Sequence, residues 1–310
     1  MSELLSTLQQ GLGFLFGQLS WKRHLELTAV LRGEVIVVAV SAARRSVRTL
    51  VTLGDSTVVG VGDPLPGGGW RGVAQLLAAA LGAPRHVNLS TSGARLRCVR
   101  ERQLPAALQA SPDIALLVVG MNDTMRSDFS PVRLHFDLDA TVGTLAAAGS
   151  LVVTVRFHDH SRVFWLPGPL RRALQTRIVA LNEIIDTVVA RHGSVCVDLH
   201  RMPGIYDPAA WHVDRLHPSE LGHRLLAAAC AAAMAEVGWL VPRPVSRRCA
   251  GSRAVTAAEH VGWLIIAGIP WLVRRGQDLI PYGLVVLWRA RRGSRLTGAR
   301  NPAGELGVQT

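Results

Sequence analysis

A hydroxyl, an imidazole and a carboxylate held in series can break an ester bond, and this chain carries a candidate for each. Ser56 ends the run Thr49-Leu50-Val51-Thr52-Leu53-Gly54-Asp55-Ser56, an apolar segment leading into a Gly-Asp-Ser turn. Asp214 and His217 stand three residues apart in Asp214-Arg215-Leu216-His217-Pro218, just before an Ala-rich stretch. Two further turns lie between them: Asn88-Leu89-Ser90-Thr91-Ser92-Gly93 and Gly120-Met121-Asn122-Asp123. Hydrolysis of an ester needs a nucleophile, a base, a group that orients the base, and donors for the oxyanion. Each fragment alone is unremarkable. Gly-Asp-Ser arises by chance, Gly-x-Asn-Asp is common turn chemistry, and Asp214 with His217 would pass for a solvated pair at a helix start. Their order and placement carry the weight.

The elements that must position them are legible from periodicity. Strand patterns fall at 49–54, 86–89, 113–120, 151–155 and 195–199. Helical patterns fall at 70–81, 102–110, 132–148, 170–192 and 219–237. Short strands alternating with helices of about ten residues or more argue for a parallel sheet covered on both faces. The stretch Asp113-Ile114-Ala115-Leu116-Leu117-Val118-Val119-Gly120 is the uninterrupted apolar kind that such a sheet buries. The predicted fold is α/β, a three-layer α/β/α sandwich around a five-stranded, mostly parallel sheet. Ligands of such sheets bind beyond the carboxyl ends of the strands. Three predicted strands end there in the fragments above.

Over residues 48–241 the chain resembles the SGNH, or GDSL-like, hydrolases, especially those of the actinobacterial type. Gly54-Asp55-Ser56-Thr57 resembles the family's first block, with Thr57 where Leu is usual. Gly93 matches the second, Gly120-x-Asn122-Asp123 the third, and Asp214-x-x-His217 the last. The resemblance implies a flavodoxin-like core with Ser56 as nucleophile, His217 as base and Asp214 orienting the imidazole. It implies an oxyanion hole made by the Ser56 and Gly93 N–H groups and the Asn122 amide. The expected activity is esterase or lipase-type hydrolysis of a small-molecule or lipid carboxylic ester, or of a thioester, through an acyl-Ser56 intermediate. No metal or organic cofactor is expected. The same triad could instead deliver the acyl group to an alcohol, as an acyltransferase. A catalytically idle, membrane-associated binding protein on the same fold is a further alternative, against which the intact set of five residues speaks. The chain has no Gly-x-Ser-x-Gly elbow, which sets aside the ordinary α/β-hydrolase fold.

Other features have plainer readings. His158-Asp159-His160 offers metal-ligand types, but no further Cys or His is spaced to complete a set, so a polar loop at the rim is expected. His212 precedes Asp214 and lacks the family spacing. Gly60-x-Gly62 and Gly67-Gly68-Gly69 have neither Rossmann nor P-loop spacing. Residues 164–170, which include Trp165, would line an acyl pocket or act as a lid, or else form a packed connection to the next helix.

The formal charge is +12, carried by 34 basic residues of which one is Lys22. From 242 to 310 there are 11 Arg against Glu259, Asp278 and Glu305, a net of +8. The remainder carries about +4 and does not look like a nucleic-acid binder. The expected organisation is an N-terminal extension (1–46), a catalytic domain (47–241) and a basic C-terminal extension (242–310). Leu4, Leu8, Leu12, Leu15 and Leu19 recur at helical spacing in the first, predicting an amphipathic helix. In the last, Trp263, Trp271 and Trp288 sit in short apolar blocks bordered by arginines. That segment would either lie on an anionic membrane surface or pack back on the core. Cys98, Cys196, Cys230 and Cys249 are widely spaced, as for reduced thiols. With no secretory signal pattern at the start, a cytoplasmic protein is expected, peripheral on the inner face of the cell membrane if the C-terminal segment binds lipid.

Overall fold

Runs of Val, Leu and Ile without polar breaks become strands buried on both faces, and they organise the core. The computed structural model describes residues 44–164 and 166–249, Gly262, and the two strands of an N-terminal hairpin. There β1 (Glu26–Leu31) pairs with β2 (Glu34–Ala39) in antiparallel register, Leu31 opposite Glu34 and Glu26 opposite Ala39. The helix expected over Leu4–Leu19 and the tryptophan blocks of the C-terminal extension lie outside the described residues.

The main sheet holds β3 (Thr49–Gly54), β4 (Arg85–Asn88), β5 (Ile114–Val118), β6 (Leu151–Arg156) and β7 (Val195–Asp198). The order is β4-β3-β5-β6-β7, and every pairing is parallel, so the sheet is wholly rather than mostly parallel. β5 is buried along its whole length, as its uninterrupted apolar sequence requires. From β3 the chain steps one way to β4, and from β5 it steps the other way to β6 and β7. Right-handed crossovers then place the intervening helices on opposite faces. α1 (Ser56–Val59) and α2 (Gly72–Leu81) follow β3. After β4 come α3 (Leu96–Cys98), a π-helical turn over Val99–Gln103, and α4 (Leu104–Ala110). α5 (Met121–Thr124) and α6 (Pro131–Ala147) follow β5, α7 (Gly168–His192) follows β6, and α8 (Glu220–Glu236) closes the fold after β7. α2 packs on α8, and α6 packs on α7.

Two element starts differ from the sequence expectation for local reasons. The helix read at 70–81 begins at Gly72, because Trp70 bridges back to Pro64 across the triple-glycine turn. Asp63 then caps it: its carboxylate accepts the Gly72 N–H at 3.1 Å and binds the Arg71 guanidinium through both oxygens at 2.9 and 2.8 Å. The helix read at 102–110 begins earlier, at Leu96, and contains the π turn. At the margins, Arg45 donates its N–H to Gly238 O and accepts from Leu240 N, and Arg224 reaches Ser246 O at 3.0 Å. Among the described residues, no helix is long and apolar enough to cross a membrane.

Candidate active site

The strand order reverses between β3 and β5, the switch point at which sheets of this kind bind ligands. Ser56 follows β3 and Asn122 follows β5, so the two stand on either side of that crevice. Gly54 ends β3 at φ +143°, and a Cβ there would come within 2.0 Å of Val118 O. Only glycine lets the two strand ends approach this closely. Gln103 clamps the same residue, accepting from Gly54 N at 2.8 Å and donating to Gly54 O at 2.9 Å. The π turn carries Gln103 inward to do so, in keeping with the frequent placement of such turns beside functional sites. Asp55 is buried and caps α1 by accepting Thr57 N–H at 2.9 Å. Burial pushes its carboxyl up to about 6, against the opposing pull of the Thr57 N–H and of His217.

The imidazole comes from the opposite end of the chain. His217 Nε2 lies 2.9 Å from Ser56 Oγ, across 161 residues of sequence. His217 Nδ1 lies 2.7 Å from Asp214 Oδ2, while Asp214 Oδ1 accepts the N–H groups of Leu216 and His217 at 2.8 and 3.0 Å. Arg215 adopts φ +56° between them, a conformation L residues rarely take, which folds both N–H groups onto one oxygen. Burial acts to raise the Asp214 carboxyl, but His212, His217 and the backbone N–H together hold it well below the usual carboxylate range. His212 is the residue that spacing did not single out: its Nδ1 approaches Asp214 Oδ2 at 3.3 Å. Its own N–H donates to His217 O at 2.9 Å, closing the loop that carries the pair.

Gly93 and Asn122 complete the set. Asn122 Nδ2 donates to Asp55 Oδ2 at 3.2 Å and to Ala94 O at 3.1 Å, so both amide protons are engaged. Among the described residues, the N–H groups of Ser56 and Gly93 reach no protein acceptor. Arg95 and Asp123 lock the two turns together, with Asp123 accepting from Leu96 N and Arg95 Nε at 3.2 Å each. Ser56, Gly93, Asn122 and His217 line one cleft of about 250 Å³. A larger hollow of about 510 Å³ opens at the amino ends of the strands, where Arg48 pairs with Asp113; His192 on its rim is bound to Asp139. The described residues of segment 164–170 line neither that hollow nor the cleft, and Trp165 lies outside the described residues.

His158 and His160 do not sit on a polar rim. Both are buried, His158 Nε2 meets His160 Nδ1 at 3.0 Å, and Trp211 packs against both rings at 4.9 and 5.1 Å. His223 is likewise buried, bridging Val73 N and Val61 O. Burial lowers all three imidazoles, His223 to about 4. Unfolded histidine takes up its proton near pH 6.5, before these folded ones do, so stability is complete above that pH and is lost as pH falls toward 4. Asp55 acts in the other direction between about 6 and 3.8 and offsets one proton. Below about pH 6 the net is two protons, an expected loss of ~3 kcal/mol per pH unit at ~1.4 kcal/mol per proton. Urea unfolding at pH 7, 6 and 5 measures it; equal midpoints at all three would contradict it.

The model of the GDSL-like Lipase/Acylhydrolase family matches residues 52–225, more than half of the chain. No curated protein matches. Among solved structures, an alpha/beta hydrolase enzyme from the metagenome of Lake Arreo, Spain, is similar at 26% identity and TM-score 0.50, with 63% of this chain and 98% of that one covered. An acetyl xylan esterase from Geobacillus stearothermophilus is similar at 21% identity and TM-score 0.49, with 63% and 97% covered. With the family match spanning β3 to α8, and with the cleft at the switch point, the chain belongs to the GDSL-like lipase/acylhydrolase family of ester-hydrolysing enzymes.

Proposed function

We propose that the enzyme cleaves a carboxylic ester, or a thioester, through a covalent acyl-Ser56 intermediate. The observation that carries this is the unbroken series Ser56 Oγ–His217 Nε2–Asp214 at 2.9 and 2.7 Å, opening into the cleft. A neutral serine hydroxyl is a poor nucleophile, so His217 takes its proton as Oγ attacks the carbonyl carbon. Asp214, ionised, accepts a hydrogen bond from His217 Nδ1–H and stabilises the imidazolium that forms. The carbonyl oxygen, now anionic, is met by the N–H groups of Ser56 and Gly93, which reach no protein acceptor among the described residues. Collapse expels the alcohol or thiol, which takes the proton from His217 Nε2. Water then attacks the acyl carbon with His217 again as base, releasing the acid and restoring the Ser56 hydroxyl.

Asn122 is the third oxyanion donor. It must redirect toward the substrate one proton now held by Ala94 O or Asp55. Asn122→Ala is therefore expected to lower kcat by about 10²–10³-fold, the effect of losing one such donor. A loss below threefold in steady-state hydrolysis would remove Asn122 from the oxyanion hole. The acyl-enzyme itself is tested by labelling with a fluorophosphonate probe and mapping the modified peptide. Adduct on Ser56, absent from Ser56→Ala, is the expected result; adduct elsewhere, or none, refutes the mechanism.

A further inference from the structure

Behind the cleft lies a second cavity of about 60 Å³, and Thr57, Met121, His160 and Leu216 line both. Apart from Thr57, His158 and His160 its lining is apolar, and its far wall is built by Met202, Ile205, Trp211 and Leu226, all buried. We propose that this chamber receives the acyl chain of the substrate and restricts it to short, unbranched chains of roughly four to six carbons. The proposal rests on the acyl-Ser56 reading above.

Three observations point to the acyl rather than the alcohol portion. Ser56 lines the cleft, and Thr57, Met121, His160 and Leu216 line cleft and chamber alike, so a chain bonded to Ser56 Oγ in the cleft borders the chamber. The expelled alcohol has to escape to solvent, which the cleft at Ser56 allows, whereas the chamber leads toward the buried side chains of Met202, Ile205, Trp211 and Leu226. An apolar lining also favours methylene groups, each worth burying, over a hydroxylated leaving group. Size then sets the limit. About 10–15 Å³ of such volume holds one water-sized group, so 60 Å³ takes roughly four carbons beyond the carbonyl.

The wall is stiff. His158 and His160 are bonded to each other, and Trp211 packs on both while its Nε1 donates to Ile205 O at 2.6 Å. Burial keeps both imidazoles neutral, so they present no charge to a hydrocarbon. Met121 and Leu216 stand between cleft and chamber, and flexible thioether and isobutyl side chains can turn aside for an entering chain.

The test is kcat/KM across p-nitrophenyl esters from acetate to decanoate, with the full chain. Butyrate or hexanoate should be the best substrate, and decanoate roughly 10-fold or more poorer. Within each variant the hexanoate-to-acetate ratio is read, because misfolding lowers both esters alike. Met202→Trp should lower that ratio roughly 10-fold, and Met202→Ala should move the optimum to longer chains. An acetyl series with lengthening alcohols should show no comparable cut-off. A decanoate optimum, unchanged ratios in both variants, or a cut-off on the alcohol side would each overturn the proposal while leaving the hydrolase intact. Loss of all ester turnover together with absence of fluorophosphonate labelling at Ser56 would instead overturn the acyl-enzyme reading beneath it.

Discussion

Ser56→Ala is expected to reduce kcat for a short p-nitrophenyl ester by a factor on the order of 10⁴–10⁶. Without Oγ no acyl-enzyme can form, and what remains is catalysis of direct water attack by the oxyanion donors. His217→Ala should cost a similar factor, because Ser56 Oγ then has no acceptor for its proton at 2.9 Å. The informative measurement is the double variant. Groups that act as one unit lose their effect together, so the pair should be no slower than either single variant within a few-fold. Multiplying effects would mean that Ser56 and His217 act in separate steps. Neither change opens a large core cavity, since both side chains face the cleft, so thermal unfolding should report a folded protein in each case.

Asp214→Asn is the second large effect, on the order of 10⁴-fold in kcat. The shape is conserved and the amide oxygen can still accept the N–H groups of Leu216 and His217, now at 2.8 and 3.0 Å. What changes is the atom facing His217 Nδ1 at 2.7 Å. An amide NH₂ there forces Nδ1 to accept, so Nε2 carries the hydrogen and can no longer receive the Ser56 proton. The charge opposite the imidazolium also disappears. Asp214→Glu keeps the charge and loses the geometry, and should fall between Asn and wild type. Because Asp214 is held well below the usual carboxylate range, its protonation should not set the acid limb of the wild-type profile. Single-turnover acylation of the Asn variant, followed from pH 6 to 9, checks this; near-wild-type rates would mean that Asp214 only shapes the loop.

His212 gives Asp214 a second imidazole neighbour at 3.3 Å. Its backbone also ties the loop to His217. Its place beside Asp214 follows from the fold of the turn. Trp211 bridges to Pro218, and Arg215 at φ +56° turns the chain back on itself. Nothing in a two-residue offset along the chain indicates that such a reversal occurs.

The N-terminal hairpin and two helix starts aside, the sequence by itself determined the elements and the chemical fragments. Burial on both faces leaves an uninterrupted apolar run, so β5 could be read from composition alone, and turn residues mark where it and β3 end. Asp214 and His217 are close enough in the chain for one local turn to join them, so their pairing was legible too. Contacts that cross the fold were not. Gln103 clamps Gly54 over 49 residues, Asn122 reaches Asp55 over 67, and His217 reaches Ser56 over 161. These depend on strand order, which the crossovers set and which no local periodicity records. The same reason moved His158 and His160 from an expected polar rim to the wall of a buried chamber. Adjacent polar residues look solvated in sequence, and only the packing of Tyr206 and Trp211 from a distant segment decides that they are not.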